Sequence, residues 1–150
     1  MGKIDNIHNN DTFIIAYRKA RKRRTFFLTE RLEKYNLSPN QIDILSFIKN
    51  NTAFNTAKDI VEYTGVSKGL ISRSVEDLSN RAFITLEEDS SDKRKQRIFL
   101  TNLGNKIANL IKKYDKLFFH VITEGIPMEE LEIQKKVAEK ILANMEKLKY

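Results

Sequence analysis

The sequence predicts a mainly α-helical fold that carries one small β-hairpin. Apolar residues recur at helical spacing along most of the 150 residues, which include only five glycines and two prolines. The spacing changes to alternation at 84–87 and at 97–100, which indicates two short strands. Two helices joined by a turn at Gly65 come directly before these strands. This order is typical of a helix-turn-helix followed by a β-hairpin wing, so the predicted architecture is a winged helix-turn-helix.

The composition excludes several classes of protein. The chain has 31% charged and 41% hydrophobic residues, which is typical of a soluble globular protein. No apolar run has the roughly 20 residues that a membrane helix needs, and residues 1–6 lack the apolar core of a signal peptide. Since the chain has no cysteine, disulfides and thiol chemistry are excluded. We therefore expect a cytoplasmic protein with no membrane contact.

No pattern of residues predicts catalysis. A Gly-rich phosphate loop, a cysteine nucleophile and closely spaced histidine ligands are all missing from the sequence. We expect the chain not to be an enzyme and to use neither a cofactor nor a metal. The net charge of +7 favours an anionic partner such as nucleic acid. Residues 1–37 carry +5 of this charge, whereas residues 38–105 have no net charge.

The first two helices are marked by a break and a capping signal. Apolar spacing predicts a helix over 12–35, which ends before Asn36 and Leu37. The segment 38–41 reads Ser-Pro-Asn-Gln. A serine cap, a proline in the first turn and a glutamine three residues after the serine form a capping box, which predicts the start of the second helix. Its buried side is predicted to be Ile42, Leu45 and Ile48.

The next two helices form the predicted helix-turn-helix. A second capping box, Thr56 to Asp59, predicts the start of a short helix. Gly65 suits the end of that helix, where a residue free to take positive φ is needed. Ser67 can cap the following helix, which is predicted over 67–81. The buried stripe of this last helix is predicted to be Ile71, Val75 and Leu78.

Two further helices follow the hairpin and predict a partner subunit. After Thr101 the helical spacing returns as a broad apolar stripe at Ile107, Leu110, Tyr114, Leu117 and Val121, and a second strip adds Ile111, Phe118 and Ile122. A stripe of this width must be covered, and one chain of this size offers little cover. We therefore predict a helical dimerisation region, 1–37 plus 102–150, around a central winged helix-turn-helix, 38–101.

The side chains expected at the dimer interface are apolar residues of the first helix and of the last two helices. They are Phe13, Tyr17, Tyr114, Leu117, Phe118, Val121, Ile141, Met145 and Leu148.

The second helix of a helix-turn-helix enters the major groove of DNA with its N-terminal residues at the base edges. Here Arg73 is suited to a bidentate contact with guanine, and Lys68 is suited to phosphate. Gly69 would let the backbone approach closely. The expected contacts of this recognition helix are Ser67, Lys68, Gly69, Leu70, Ser72 and Arg73.

The hairpin adds a second candidate contact. Four of the six residues 92–97 are cationic. An arginine at the tip of a β-ribbon suits the minor groove, because a narrow groove concentrates negative potential. Asp92 is interpreted as a local partner that fixes an arginine or the turn itself. The expected wing residues are Asp92, Lys93, Arg94, Lys95 and Arg97.

These segments together resemble the multiple-antibiotic-resistance regulator (MarR) family. Asp92-Lys93-Arg94, followed by 98–101 (Ile-Phe-Leu-Thr) and Gly104, is similar to the family's wing signature. Residues 37–41 resemble its Leu-Thr/Ser-x-x-Gln segment, and residues 65–78 resemble its recognition helix. One departure is Ala82, where members often have glycine, so the turn before the wing is expected to differ.

The resemblance implies a homodimer whose N- and C-terminal helices interlock and which binds a pseudo-palindromic operator in double-stranded DNA. It implies that Arg94 enters the minor groove and that Asp92 orients the wing by a salt bridge. It also implies that a small aromatic or anionic ligand releases the DNA. The expected function is a sequence-specific transcriptional regulator, with repression as the default because a dimer that covers a promoter needs no contact to polymerase.

A basic run at 18–24, with six cations in seven residues, has several interpretations. It is either a solvated helix face, a surface that contacts phosphate, or a surface for RNA or an acidic partner. The residues expected to contact phosphate are Ser38, Thr56, Arg21, Arg23 and Arg24.

Two other functions stay open at this point. The neutral segment 38–105 would suit a winged-helix protein-interaction module, such as an antirepressor or adaptor. The basic run would suit a nonspecific nucleic-acid binder.

Overall fold

The structure of the chain, a computed structural model, describes residues 9–148, with side chains from residue 12 onward. The ends of the predicted dimerisation region, 1–8 and 149–150, lie outside the described residues. The elements are α1 (Asn9–Arg31), a 3-10 turn (Glu33–Tyr35), α2 (Pro39–Asn50), α3 (Ala57–Thr64), α4 (Lys68–Asn80), β1 (Ile84–Glu88), β2 (Gln96–Leu100), α5 (Asn102–Ile122) and α6 (Met128–Met145). The predicted mainly α-helical fold with a β-hairpin wing is confirmed.

The chain divides into two compact units, Met1–Phe118 and Phe119–Tyr150, so the boundary lies within α5. The first unit contains the winged helix-turn-helix and the hydrophobic core. The second unit consists of the end of α5 and α6. In the described part of the chain, none of the helices combines the length and hydrophobicity that a membrane span requires.

The first helix ends earlier than predicted. It stops at Arg31, and Tyr35 lies in the 3-10 turn rather than in the helix. Asn36 then takes φ of 47°, the left-handed region that asparagine tolerates better than most residues. The chain turns there and enters α2.

Both predicted capping boxes are confirmed. The amide of Gln41 donates to Ser38 Oγ (3.3 Å), and the amide of Ser38 donates to Gln41 Oε1 (2.8 Å). Thr56 and Asp59 make the same reciprocal pair at the start of α3. Since each box satisfies amides that have no partner within the helix, the starts of α2 and α3 follow from local sequence.

The turn between α3 and α4 contains one confirmed and one wrong prediction. Gly65 takes φ of 67°, and its amide donates to the carbonyl of Val61 (2.9 Å), which ends α3 as predicted. Ser67 occupies the N-cap position of α4, but its side chain makes no capping hydrogen bond there. Leu70 stands three residues after it and has no polar group to complete a box.

The two strands pair antiparallel from Ile84 opposite Leu100 to Glu88 opposite Gln96. Thr101 closes the base of this hairpin, because its hydroxyl donates to the carbonyl of Ala82 (2.7 Å) and accepts from the amide of Gly104 (3.0 Å). A Cβ at Gly104 would lie 1.9 Å from the carbonyl oxygen of Phe83. Only glycine therefore fits at position 104, where the Leu-Thr-x-x-Gly segment joins the wing to α5.

The core lies where α2, α4, the hairpin and the first half of α5 meet. The predicted buried stripes of α2 and α4 are confirmed. The side chains with the least exposure are Leu28, Leu32, Ile44, Leu45, Ile60, Ile71, Leu78, Ile84, Ile98, Ile107 and Ile111. A core of this kind makes the winged helix-turn-helix a fixed support for the side chains on its surface.

Helix α5 buries residues from both predicted apolar strips against its own chain. Its buried residues are Gly104, Ile107, Ala108, Ile111 and Phe118, whereas Leu117 and Val121 are exposed. The ring of Phe118 packs against Phe27 of α1, with centroids 5.5 Å apart. Tyr114 packs against the core. The assignment of Phe118 to a dimer interface is therefore corrected, because its own chain covers it, whereas Tyr114 is partly exposed and stays an interface candidate.

Candidate nucleic-acid interface

The first half of α4 presents a polar surface opposite its buried stripe. All six residues predicted for the recognition helix, from Ser67 to Arg73, are exposed on this surface. Arg73 lies back along the helix, since its Nε donates to the carbonyl of Gly69 (3.3 Å). A Cβ at Gly69 would meet no atom within 4 Å. The fold itself therefore does not require glycine at this position. A ligand that approaches the backbone of the helix closely would require it, because a side chain would then be in the way.

The wing tip, residues 92–95, is a tight turn with its cations outward. The amide of Lys95 donates to the carbonyl of Asp92 (2.8 Å), and the amide of Arg94 donates to Asp92 Oδ1 (3.1 Å). Lys93, Arg94 and Lys95 are exposed. Asp92 thus fixes the turn, one of its two predicted roles. Its contact with a cation goes to Lys95, at 3.8 Å, and not to an arginine.

A second carboxylate, Asp89, organises the wing from inside. Its side chain is 5% exposed. It accepts hydrogen bonds from the amide and hydroxyl of Ser91, from the amide of Asp92 and from Arg97 Nε. The bonds from Ser91, followed by that from Arg97, hold the pKa of Asp89 well below its usual range. The carboxylate is therefore charged at neutral pH and keeps the loop closed.

Arg97 is not a free wing cation, so its predicted contact with DNA is corrected. Its Nε donates to Asp89 Oδ2 at 2.5 Å, and its Nη1 donates to Asn55 Oδ1 at 2.9 Å. Asn55, 2% exposed, lies in the loop between α2 and α3. Sequence reasoning missed Asn55 and Asp89. The sequence offered a signal for Asp89 alone, since the acidic stretch 87–89 is unsuited to a direct contact with DNA and so indicates a partner within the protein.

Two of the five expected phosphate contacts have their polar groups committed elsewhere. Arg24 donates to Asp115 (2.6 and 2.8 Å) and to Asp43 (2.9 Å). Burial lowers the pKa of Arg24, but the hydrogen bonds and charges of Asp115 and Asp43 outweigh it and raise this pKa above its usual value. The Thr56 hydroxyl donates to Asp59 Oδ2 (2.6 Å) and accepts from the Asp59 amide. Phosphate contacts by Arg24 and Thr56 are therefore corrected.

The basic residues next to Arg24 on α1 lie near the middle of α5, not beside the base of the wing. Arg21 and Arg23 are exposed, within one helical turn of Arg24. Helix α5 begins beside the base of the wing, and Asp115, the partner of Arg24, is 13 residues further along this helix. At a rise of about 1.5 Å per residue, this is about 20 Å along α5. Ser38 is exposed beside its capping bond, and its contact with phosphate stays a prediction, like those of Arg21 and Arg23.

The chain is similar to known proteins in sequence over its centre and in fold over nearly its full length. Residues 35–95 match the model of the MarR family. This segment runs from the end of the 3-10 turn to the end of the wing tip, so it contains α2, α3, α4, β1 and the wing loop. No curated protein matches the chain in sequence.

Three solved structures illustrate the similarity of fold. A MarR transcriptional regulator from Methanosarcina mazei Go1 is 16% identical, with a TM-score of 0.78 over 92% of this chain and 99% of the other. A protein from Listeria monocytogenes, assigned to the MarR family of transcriptional regulators and complexed with 26mer DNA, is 18% identical, with a TM-score of 0.75 over 93% and 89%. The transcriptional regulator SlyA is 18% identical, with a TM-score of 0.78 over 89% and 93%.

The family match and the surface described above coincide. The matched segment contains the exposed half of α4 and the cationic wing tip. The similarity of fold extends the likeness through α1, α5 and α6. The central segment, residues 35–95, is therefore similar in sequence to the MarR family, and the chain has the fold of these solved structures over about nine-tenths of its length.

Proposed function

We propose that the chain is a homodimeric transcriptional regulator that binds a specific sequence of double-stranded DNA. The observation that carries this proposal is the pair of outward surfaces on one rigid unit. One surface is Ser67 with the first half of α4, which together present six exposed residues suited to contacts with DNA, and the other is the wing tip with Lys93, Arg94 and Lys95. A basic wing beside an exposed helix fits a major groove and the minor groove next to it.

Each side chain has its own role in this proposal. Arg73 reads guanine in the major groove, and Ser72 donates to a neighbouring base or phosphate. Lys68 at the start of α4 neutralises a phosphate, which positions the helix without reading sequence. Arg94 enters the minor groove, while Lys93 and Lys95 contact its phosphates.

The dimer part of the proposal is supported by exposed apolar side chains in three helices. A single chain leaves them in contact with water, and covering them would release free energy of about 25 cal/mol for each Å². In this proposal 38–101 bind DNA, and the helices within 1–37 and 102–150 form the dimer. The exposed interface candidates are Phe13, Tyr17, Leu117, Val121, Met145 and Leu148, and the partly exposed candidates are Tyr114 and Ile141.

Repression relieved by a ligand is the proposed mode of regulation. A dimer that covers a promoter blocks polymerase by its bulk alone. In the single chain one face of α1 forms a groove of about 680 Å³, in which Phe13 and Tyr17 lie beside Arg18 and Arg21, and in the proposed dimer this groove would lie at the subunit interface. Aromatic rings beside cations suit an aromatic anion. A screen of aromatic acids and antibiotics tests this mode, and the expected hit weakens operator affinity while the protein stays dimeric and folded.

The test of DNA binding is a titration into DNA from upstream of the chain's own gene, across a salt series, with a scrambled duplex beside it. We expect binding to the native duplex, and a loss of about 10- to 100-fold in Arg94→Ala. The matched control is Lys136→Ala, which removes an exposed cation of α6 that has no predicted contact with DNA and is expected to leave this binding unchanged.

Two outcomes would contradict the proposal. Equal, steeply salt-dependent binding to both duplexes, lost only when residues 18–24 are changed, would indicate a nonspecific nucleic-acid binder. Binding to neither duplex at low salt would indicate a protein-interaction module.

A further inference from the structure

We propose that Arg97 and Asn55 are positioning residues, which lock the wing to the helix-turn-helix and so place Arg94 for the minor groove. The inference rests on the proposed function, and it assigns roles to two residues that do not themselves touch DNA. Arg97 lies in β2, and Asn55 lies one residue before the capping box of α3.

The contacts form one continuous chain of hydrogen bonds. Arg97 donates to Asp89 at the beginning of the wing loop (2.5 Å) and to Asn55 in the loop before α3 (2.9 Å). Asn55 also makes two hydrogen bonds with the backbone of Ile98. Its side-chain Nδ2 donates to the carbonyl of Ile98 (3.1 Å), and its main-chain carbonyl accepts from the amide of Ile98 (2.8 Å). One guanidinium thus joins the wing loop to the helix-turn-helix.

The same chain reaches the wing tip. Besides Arg97, the carboxylate of Asp89 holds the amides of Ser91 (2.8 Å) and Asp92 (3.1 Å). Asp92 in turn holds the amide of Arg94 at 3.1 Å. The direction of the Arg94 side chain therefore depends, through two carboxylates, on where Arg97 places Asp89.

Burial separates positioning from direct contact. Asn55 is 2% exposed and cannot touch DNA without unfolding. The side chain of Arg97 is 40% exposed, but two of its nitrogens are engaged inside the protein. A minor-groove contact needs its arginine held in one place, because a misplaced side chain must be ordered at the cost of binding energy. The network supplies this order before DNA binds.

The test is a set of double-mutant cycles on binding to the native duplex. We expect Arg97→Ala to weaken binding by about 10-fold, and to weaken it by less than about 2-fold in the background of Arg94→Ala, because effects through a shared partner are not additive. In the background of Arg73→Ala, which concerns the other groove, the full 10-fold loss is expected to remain. Lys68→Ala, which removes the proposed phosphate contact at the start of α4, is the control, and its effect is expected to be additive with that of Arg94→Ala.

Two more variants separate geometry from charge. Arg97→Lys keeps the positive charge but loses the fork that bridges two acceptors, so it is expected to bind as weakly as Arg97→Ala. Asn55→Ala, at a site that DNA cannot reach, is expected to show the same non-additivity with Arg94→Ala. Full binding by Arg97→Lys would overturn the proposal, since it would assign Arg97 to a phosphate contact by charge alone. An equal loss with and without Arg94 would overturn it as well.

A measurement on the free protein decides the positioning role independently of DNA. The amides of Asp89 and Lys95 are bonded within the wing loop, to the carbonyls of Lys95 and Asp92. We expect their hydrogen exchange to accelerate in Arg97→Ala and Asn55→Ala, while amides of α4 exchange as in the wild type. Unchanged exchange of these wing amides would overturn the positioning role. If the wild-type chain binds no DNA but the wing amides respond as expected, the proposed function fails and the positioning role stands.

Discussion

The guanidinium of Arg24 donates a hydrogen bond to each carboxylate oxygen of Asp115, with Nε 2.6 Å from Oδ1 and Nη2 2.8 Å from Oδ2. Its remaining nitrogen lies 2.9 Å from Asp43 Oδ1. One side chain of α1 therefore binds both α2 and α5. Among the six cations of the basic run, Arg24 has this structural role, whereas Arg23 next to it is exposed.

The first prediction is that Arg24→Ala destabilises the chain. Removal of the guanidinium leaves two carboxylates facing each other without a cation, and both are only partly exposed to water. We expect a loss of about 2 kcal/mol in the free energy of unfolding, somewhat below the range for fully buried pairs. Urea denaturation measures it, with Arg23→Ala as the control expected within about 0.5 kcal/mol of the wild type. Equal stability of the two variants would contradict the role of Arg24.

Local patterns in the sequence predicted the fold well, whereas distant contacts could not be predicted. The capping boxes at Ser38 and Thr56 depend on residues three apart, so their spacing is visible in the sequence. Arg24 and Asp115 are 91 residues apart, and nothing near Arg24 distinguishes it from the other cations of its run.

The same reason explains the errors in the candidate site and the interface. Arg97 and Arg94 look alike in the sequence, and only the fold brings Asn55 beside one of them. Phe118 looks like any other residue of an apolar stripe until Phe27 covers it. The exposed residues of α4 were predictable, because helical spacing alone separates them from Ile71 and Val75.

The second prediction concerns Gly69, where stability and DNA binding should change in opposite directions. Alanine fits without a contact closer than 4 Å, and it favours a helix more than glycine does. We expect Gly69→Ala to stabilise the chain by about 0.5 kcal/mol, below the full mid-helix value because the residue is in the first turn. We expect it to weaken operator binding, because in the proposed complex the new methyl group would face the DNA.

The two effects are measured by urea denaturation and by the duplex titration. Glu76→Ala, at an exposed position further along α4, is the control that should not weaken binding. Operator affinity that stays the same in Gly69→Ala would mean that the backbone at this turn is not close to DNA.

The third prediction concerns Ala82, which has φ of 57° in the turn before the wing. An L-residue in this region of φ is strained by roughly 1 kcal/mol. We expect Ala82→Gly to raise the free energy of unfolding by about 0.5 to 1 kcal/mol, with the relief of strain partly offset by the greater freedom of glycine in the unfolded chain.

The control for this substitution is Ala53→Gly, in a loop where φ is not positive. There only the unfolded-state effect operates, so a loss of about 0.5 kcal/mol is expected. Thermal unfolding of both variants measures the difference, and a loss at both positions would show that the turn at Ala82 carries no strain.

The fourth prediction is a dependence of the wing on pH that comes from Asp89. The pKa of Asp89 in the folded chain lies below the usual value of 3.8, because Ser91 and Arg97 donate hydrogen bonds to the charged form. A group with a lowered pKa stabilises the folded state fully above its unfolded pKa, and this contribution is lost as the pH falls below that value. Hydrogen exchange of the wing amides, corrected for the intrinsic rate, should therefore stay constant from pH 8 to about pH 5 and accelerate below about pH 4.

Asp89→Asn separates this carboxylate from the other acidic groups of the chain. The amide side chain cannot carry the charge that Arg97 pairs with, so the wing of the variant should exchange faster than that of the wild type at pH 7. Because protonation of the wild-type carboxylate removes the same charge, the difference between the two proteins should shrink as the pH falls below 3.8. A difference that is constant over the whole range would mean that the charge on Asp89 does not hold the wing, and that its oxygens act only as neutral acceptors.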